Sequence, residues 1–315
     1  MSSNTKKIAP LWPLWAGALT VMLIGAVAQA TAETIEAGGT ARTFTAQLPG
    51  TRPAPLVIVL HGNTQTGADM AALTSWPRVA KHEQFTVVFP DGLNRAWADL
   101  RPTDKRSGRL PPDGTDDVAF ITKLVEKYVG EGIADPKRVY VTGLSNGGAM
   151  TNTLICRRAD LFAGAASVIM NLTDEAAETC HPSRPVPMLI MNGTADPLVP
   201  YDGGHGASRF AVEGFWSTEK TVQFWRKLNG CEEKDAASVD LDDRDRSDES
   251  TVTRISSTCP AGRDVLLYRI NDGGHRMPAS FSDTKFVRLV TYVFGPQNHD
   301  IDAAETIWEF FRKFP

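Results

Sequence analysis

The chain has 315 residues, 42% of them hydrophobic, 22% charged and 8% aromatic, with a formal net charge of −4. These figures exclude collagen-like, low-complexity and largely disordered chains. The slight acidity leaves no basic footprint for a nucleic-acid partner. Length alone predicts one or two domains, large enough to bury a core without metals or disulfides to hold it.

Lys6 and Lys7 precede an apolar stretch from Leu11 to Ala28 that closes on Ala28-Gln29-Ala30. A basic start, an apolar middle and small residues at the end describe a secretory signal peptide over residues 1–30. The competing reading is an uncleaved anchor, because about 18 apolar residues can just span a bilayer. Pro13 and the Ala-x-Ala ending favour cleavage, so the expected product is exported, extracellular or periplasmic, and keeps no membrane segment. All four cysteines, Cys156, Cys180, Cys231 and Cys259, lie beyond that point. An even count in an oxidising compartment implies two disulfides. Three pairings are open; the nearest-neighbour arrangement, Cys156–Cys180 with Cys231–Cys259, is the simplest.

Leu56 to Leu60 is a continuous apolar run of the kind that forms a strand buried on both faces. Phe85 to Phe89, Arg138 to Thr142, Ala163 to Ile169, Met188 to Met191 and Val265 to Ile270 read the same way. Between them, Asp116 and Asp117 open a helix, where acids suit the positive end of its dipole. Gly148 to Arg157 reads as another, and Thr218 to Asn229 as a third, ended by Gly230. Ile301 to Phe311 carries an Ile301, Ala304, Trp308, Phe311 stripe. Glu232 to Glu249 is acidic, lacks the glycine and final glutamate of a calcium loop, and reads as a solvated loop. Strands alternating with helices predict an α/β fold, a mainly parallel sheet of eight strands covered on both faces. Without an internal repeat or a Ser/Thr/Pro-rich linker, one domain over residues 31–315 is expected.

Gly143-Leu144-Ser145-Asn146-Gly147 follows one apolar run directly and precedes a helical pattern, the strand–turn–helix setting of a nucleophile elbow. A serine hydroxyl is a weak nucleophile until a histidine takes its proton and a carboxylate orients that histidine. In this arrangement the acid and then the histidine follow the serine in the chain, each just past a strand. Asp196 meets that condition after Met188 to Met191, and His275 meets it after Val265 to Ile270. Asp202 lies further from its strand end. His61 and His82 precede the serine, His181 and His205 fall in intervening loops, and His299 lacks a preceding strand. The catalytic reading is therefore Ser145, Asp196 and His275. A tetrahedral oxyanion needs two backbone N–H donors. Asn146 is one, and the loop His61-Gly62-Asn63-Thr64 supplies the other, from Asn63 first and Thr64 second. His61 is expected to brace that loop. No H-E-x-x-H, Cys-x-x-Cys or phosphate loop is present, so the simplest enzyme here needs neither metal nor cofactor.

With these motifs in place the sequence resembles the secreted polyhydroxybutyrate depolymerase-like and feruloyl esterase group of α/β-hydrolases. The matching stretches are Leu60-His61-Gly62, Pro90-Asp91-Gly92 with Arg95-Ala96-Trp97, and Asp116-Asp117-Val118. Further on, Gly143 to Gly148, Gly193 to Tyr201 and Gly273-Gly274-His275 also match, in the family's order. The resemblance implies an α/β-hydrolase fold and a secreted serine esterase acting on hydroxyalkanoate polyesters or ferulate esters of plant cell walls. Two stretches depart from the family pattern. Met277 stands where tryptophan is usual, and Ala96 and Ala98 flank Trp97 where asparagine is often found. Trp97 and Met277 are the expected substrate contacts, with a place in the core as the alternative for Trp97. Soluble or oligomeric esters are expected over crystalline polymer, because no surface-binding module is visible. The reading from a different class is a non-catalytic carbohydrate- or surface-binding protein on the same fold, which the intact serine, acid and histidine disfavour.

Overall fold

Seventeen regular elements follow one another in the computed structural model, which describes residues 32–101, 109–206, 214–279 and 293–314. The expected signal peptide lies outside the described residues. In chain order come β1 (Glu33–Ala37), β2 (Thr40–Gln47), β3 (Ala54–Leu60), α1 (Gly67–Leu73), α2 (Trp76–Glu83) and β4 (Thr86–Pro90). The middle holds α3 (Asp117–Gly130), β5 (Ala134–Leu144), α4 (Asn146–Arg158), β6 (Gly164–Val168), α5 (Asp174–Glu178) and β7 (Met188–Gly193). Last are α6 (Thr218–Asn229), β8 (Asp235–Asp240), β9 (Thr251–Ser257), β10 (Val265–Asn271) and α7 (Ala303–Phe311).

The strands form one sheet in the order β1-β2-β4-β3-β5-β6-β7-β10-β9-β8. The six central strands from β4 to β10 pair in parallel, and the two strands at either end pair antiparallel. Successive side chains of a strand point to opposite faces, so a strand buried on both sides feeds two cores. Leu56, Ile58 and Leu60 of β3 pack among the helices α3, α4 and α6. Val57 and Val59 pack on the other face with α1, α2 and α7. Each such side chain contributes about 1.5–3 kcal/mol by leaving water.

The helix ends are set locally. Asp116 caps α3 by accepting the Ala119 N–H at 2.8 Å. Gly230 closes α6 in the left-handed region at φ 71°. Both disulfides take the nearest-neighbour pairing, Cys156–Cys180 and Cys231–Cys259. Each is worth on the order of 3 kcal/mol if the unfolded chain is otherwise unconstrained. Among the described residues no helix is long and apolar enough to cross a membrane.

Three expectations are corrected. The sheet has ten strands rather than eight. The acidic segment Glu232 to Glu249 is not all loop, because β8 lies within it and pairs with β9. Ile301 precedes the last helix, which starts after the Asp302 cap.

Candidate active site

Ser145 sits between β5 and α4 at φ 55° and ψ −117°, with its N–H donated to the Val168 carbonyl at 2.9 Å. A non-glycine residue held there costs on the order of 1–3 kcal/mol and needs its surroundings to enforce it. The flanking glycines explain how. A Cβ on Gly147 would lie 2.5 Å from the Leu60 carbonyl oxygen and 2.6 Å from that of His61. One on Gly143 would collide with the Gly147 carbonyl. The helix start is thus pressed against the ends of both neighbouring strands, and the serine side chain projects from the turn.

β7 and β10 are parallel neighbours, so the loops that follow them emerge side by side. They carry Asp196 and His275. His275 Nε2 lies 2.9 Å from Ser145 Oγ, and its Nδ1 lies 2.8 Å from Asp196 Oδ2. The other carboxylate oxygen accepts the N–H groups of Leu198 and Val199 at 2.8 and 2.9 Å. Asp196 and His275 are both buried. The His275 loop is paired with a later segment: Gly274 donates to the Pro296 carbonyl and His275 to that of Phe294. Asp202, His82, His181 and His205 are exposed. His299 Nδ1 contacts the Ala279 carbonyl at 2.7 Å.

Asn146 opens α4, where a first-turn N–H has no intrahelical acceptor. Neither its N–H nor that of Asn63 has a backbone acceptor among the described residues. The Thr64 N–H is committed to the Arg95 carbonyl at 2.8 Å, which removes it as the second choice. His61 is fully buried; its Nδ1 is 2.7 Å from the Gly62 carbonyl and its Nε2 accepts the Gly92 N–H at 2.9 Å. Burial pushes this imidazole below its ordinary range, so it stays neutral, a brace between two loops.

Trp97 requires a correction. It is fully buried, donates its indole N–H to the His61 carbonyl at 2.8 Å and packs on that ring at 4.7 Å. A side chain with no exposed surface does not line a pocket. Met277 is half-buried and packs against the core shared by α1, α2 and α7.

Two features escaped the sequence. Arg42 on β2 pairs with Asp117 at 2.6 Å, both buried, and Asp117 also accepts the Ala98 N–H at 2.7 Å. Burial pushes the Asp117 carboxyl up, against the pull of Arg42. The Asn146 carboxamide reaches Trp97 and Asp99, across 49 and 47 positions of sequence. Its place beside the nucleophile was the only signal available. A small apolar cluster of Ala149, Met170, Val199 and Phe215 draws on the helix that starts after Ser145 and on the Asp196 loop. Among the described residues no three His, Cys, Asp or Glu side chains converge as a metal set would.

Such an arrangement, a hydroxyl, an imidazole and a carboxylate in hydrogen-bonded sequence beside unengaged N–H groups, can carry acyl transfer. Residues 112–175, which contain the elbow, match the model of the prolyl oligopeptidase family. The chain is 28% identical over 242 residues to feruloyl esterase B of Piromyces equi, covering 74% of this chain and 41% of that protein. It is 35% identical over 120 residues to poly(3-hydroxyalkanoate) depolymerase C of Paucimonas lemoignei, covering 36% and 27%. The chain therefore spans less than half the length of either relative. Acetyl xylan esterase from Aspergillus awamori superposes with a TM-score of 0.53 at 14% identity, over 76% of this chain and 92% of that one. The resemblance read from the motifs holds at this level: the fold is that of an α/β-hydrolase, and the relatives carry esterase and depolymerase names.

Proposed function

We propose that the protein is a carboxylic-ester hydrolase that works through a covalent acyl-enzyme on Ser145. The observation that carries this is the unbroken line from Ser145 Oγ through the His275 imidazole to Asp196, with spacings of 2.9 and 2.8 Å. Ser145 attacks the ester carbonyl while His275 Nε2 takes its proton. Asp196 holds the ring so that Nε2 faces the serine, and it stabilises the imidazolium that forms. The Asn63 and Asn146 N–H groups receive the negative charge on the carbonyl oxygen. His275 then returns the proton to the leaving alcohol, and water, deprotonated by the same imidazole, releases the acid.

The relatives' names support feruloyl or hydroxyalkanoate esters as the substrate class. The apolar cluster of Ala149, Met170, Val199 and Phe215 suits an uncharged acyl or alcohol group, and Met277 is retained as a contact beside His275. Two disulfides and the basic-apolar-small pattern of residues 1–30 support export, with residues 31–315 as the mature domain.

A panel of methyl ferulate, short-chain p-nitrophenyl esters and hydroxybutyrate oligomers, assayed with wild type and Ser145→Ala, tests the assignment. Wild type is expected to turn over at least one ester class, and the variant to lose on the order of 10³-fold or more in kcat. Equal rates from both proteins on every ester would sink it.

A further inference from the structure

The two asparagines assigned above as oxyanion donors also use their side chains alike. The Asn146 carboxamide clamps one residue at two points: Oδ1 accepts the Trp97 N–H at 2.8 Å, and Nδ2 donates to the Trp97 carbonyl at 3.2 Å. The Asn63 carboxamide does the same to Arg109, accepting its N–H at 3.0 Å and donating to its carbonyl at 2.6 Å. Trp97 and Arg109 belong to one excursion of the chain between β4 and α3. A carboxamide can satisfy the N–H and the C=O of one residue at once through two separate atoms, which a carboxylate, having no donor, cannot do.

Asn146 has a further contact. Its Nδ2 also donates to Asp99 Oδ2 at 2.8 Å. The Asp99 carboxylate is fully enclosed and gripped by Arg101, with Nε on Oδ1 at 3.0 Å and Nη2 on Oδ2 at 2.7 Å. The Arg101 backbone N–H adds a third bond to Oδ1 at 2.9 Å. An enclosed carboxylate bonded to the side chain of an oxyanion donor would oppose the developing charge if left unpaired, because charges interact strongly where water is excluded. A two-pronged guanidinium removes that opposition while leaving the carboxylate rigid.

We propose that Asp99, neutralised by Arg101, is a positioning residue: it fixes the Asn146 side chain and thereby aims the Asn146 N–H at the oxyanion. Asn146 and Asn63 are asparagines because each must lock its own N–H to the excursion through its side chain. This rests on the esterase reading above, and it extends that reading by placing the control of transition-state charge outside the triad and outside the donors themselves.

The test uses the full chain with a p-nitrophenyl ester and an alkylboronic acid, whose serine adduct places a charged oxygen where the oxyanion forms. Asp99→Ala is expected to lower kcat by about 100-fold, as for a lost oxyanion donor, with KM nearly unchanged. Boronate inhibition should weaken by a matching factor. Asp99→Asn, which keeps the shape but loses the Arg101 grip, should fall between Asp99→Ala and wild type, and it carries the test if the alanine variant does not fold. Arg101→Ala should lower kcat more than Arg101→Lys, since it strands the carboxylate. The inference is overturned if kcat is unchanged in the Asp99 variants, if the loss is confined to KM, or if boronate affinity stays at the wild-type level while kcat falls. Ser145→Ala separates the two failures. Activity surviving in that variant refutes the esterase reading, whereas its loss beside normal Asp99 variants refutes this inference alone.

Discussion

The two sides of the candidate site are held by different means. The nucleophile side, from β2 to α4, adds buried side-chain ties to the close backbone contacts at Gly143 and Gly147: Arg42 on Asp117, His61 on Gly92, and Asn146 on Trp97 and Asp99. The side bearing Asp196 and His275 is tied by backbone in close contact. A Cβ on Gly193 would run into the Gly273 carbonyl, and one on Gly274 into that of Phe294. Side-chain ties concentrate energy in a few buried polar groups, so that losing one partner strands another. Backbone ties spread the energy but fix geometry tightly, so that a single methyl group displaces a reacting atom.

The sharpest way to break this contrast is Asp117→Ala, which leaves the Arg42 guanidinium buried without its carboxylate. It is expected to cost about 3–5 kcal/mol in chemical denaturation. A cost below about 1 kcal/mol would show that the pair is not structural. On the opposite side Gly274→Ala should cost less in stability, about 1–3 kcal/mol, but depress kcat by about 100-fold through misplacement of His275. Equal loss of stability and unaltered kcat would contradict the division.

His61 gives a smaller, pH-dependent effect. Its folded pKa lies below the ordinary imidazole value of 6.5, so the unfolded chain binds a proton that the folded one resists. Stability contributed by the neutral ring is fully present above 6.5 and is lost as pH falls toward the folded value. His61→Ala should cost about 2 kcal/mol at neutral pH by stranding the Gly92 N–H, and it should flatten the decline on acidification. Melting curves recorded between pH 5 and about 8 decide this; parallel declines in both proteins would reject it. The smallest effect lies away from the site. Trp308 on α7 donates to Glu83 on α2 at 2.9 Å, and this bond, followed by that to His82, holds the Glu83 carboxyl below its usual range. That stability is present above the unfolded carboxylate value and disappears as pH falls through the folded one. Glu83→Gln is expected to lower stability by about 1 kcal/mol or less at neutral pH, with the difference from wild type vanishing in acid.

The contrast also explains what could be read in advance. Buried parallel strands such as Leu56 to Leu60 announce themselves by unbroken apolar runs, and Ser145, Asp196 and His275 by their order and their places just past strands. The four cysteines announced two disulfides, but of the three pairings the sequence left open, the fold takes the simplest. The outer strands were missed because they face water. β8 reads Asp-Ala-Ala-Ser-Val-Asp, and β1 is largely exposed along its length. Trp97 was misplaced because a motif marks a residue as important without saying whether it touches substrate or braces what does. The clamps on Trp97, Asp99 and Arg109 join positions more than forty apart, as does Arg42 with Asp117. No local pattern encodes such pairs, since only the closed fold brings them together.

The exposed edge at β1 has a consequence for how molecules meet. Among the described residues no strand pairs with its outer side, which is a ready template for a second chain. Glu33 and Glu36 stand exposed along that edge. Two copies aligning there would bring carboxylate against carboxylate in an antiparallel ladder, where like charges repel. The protein thus carries its own deterrent to stacking, written in two exposed glutamates of an edge strand.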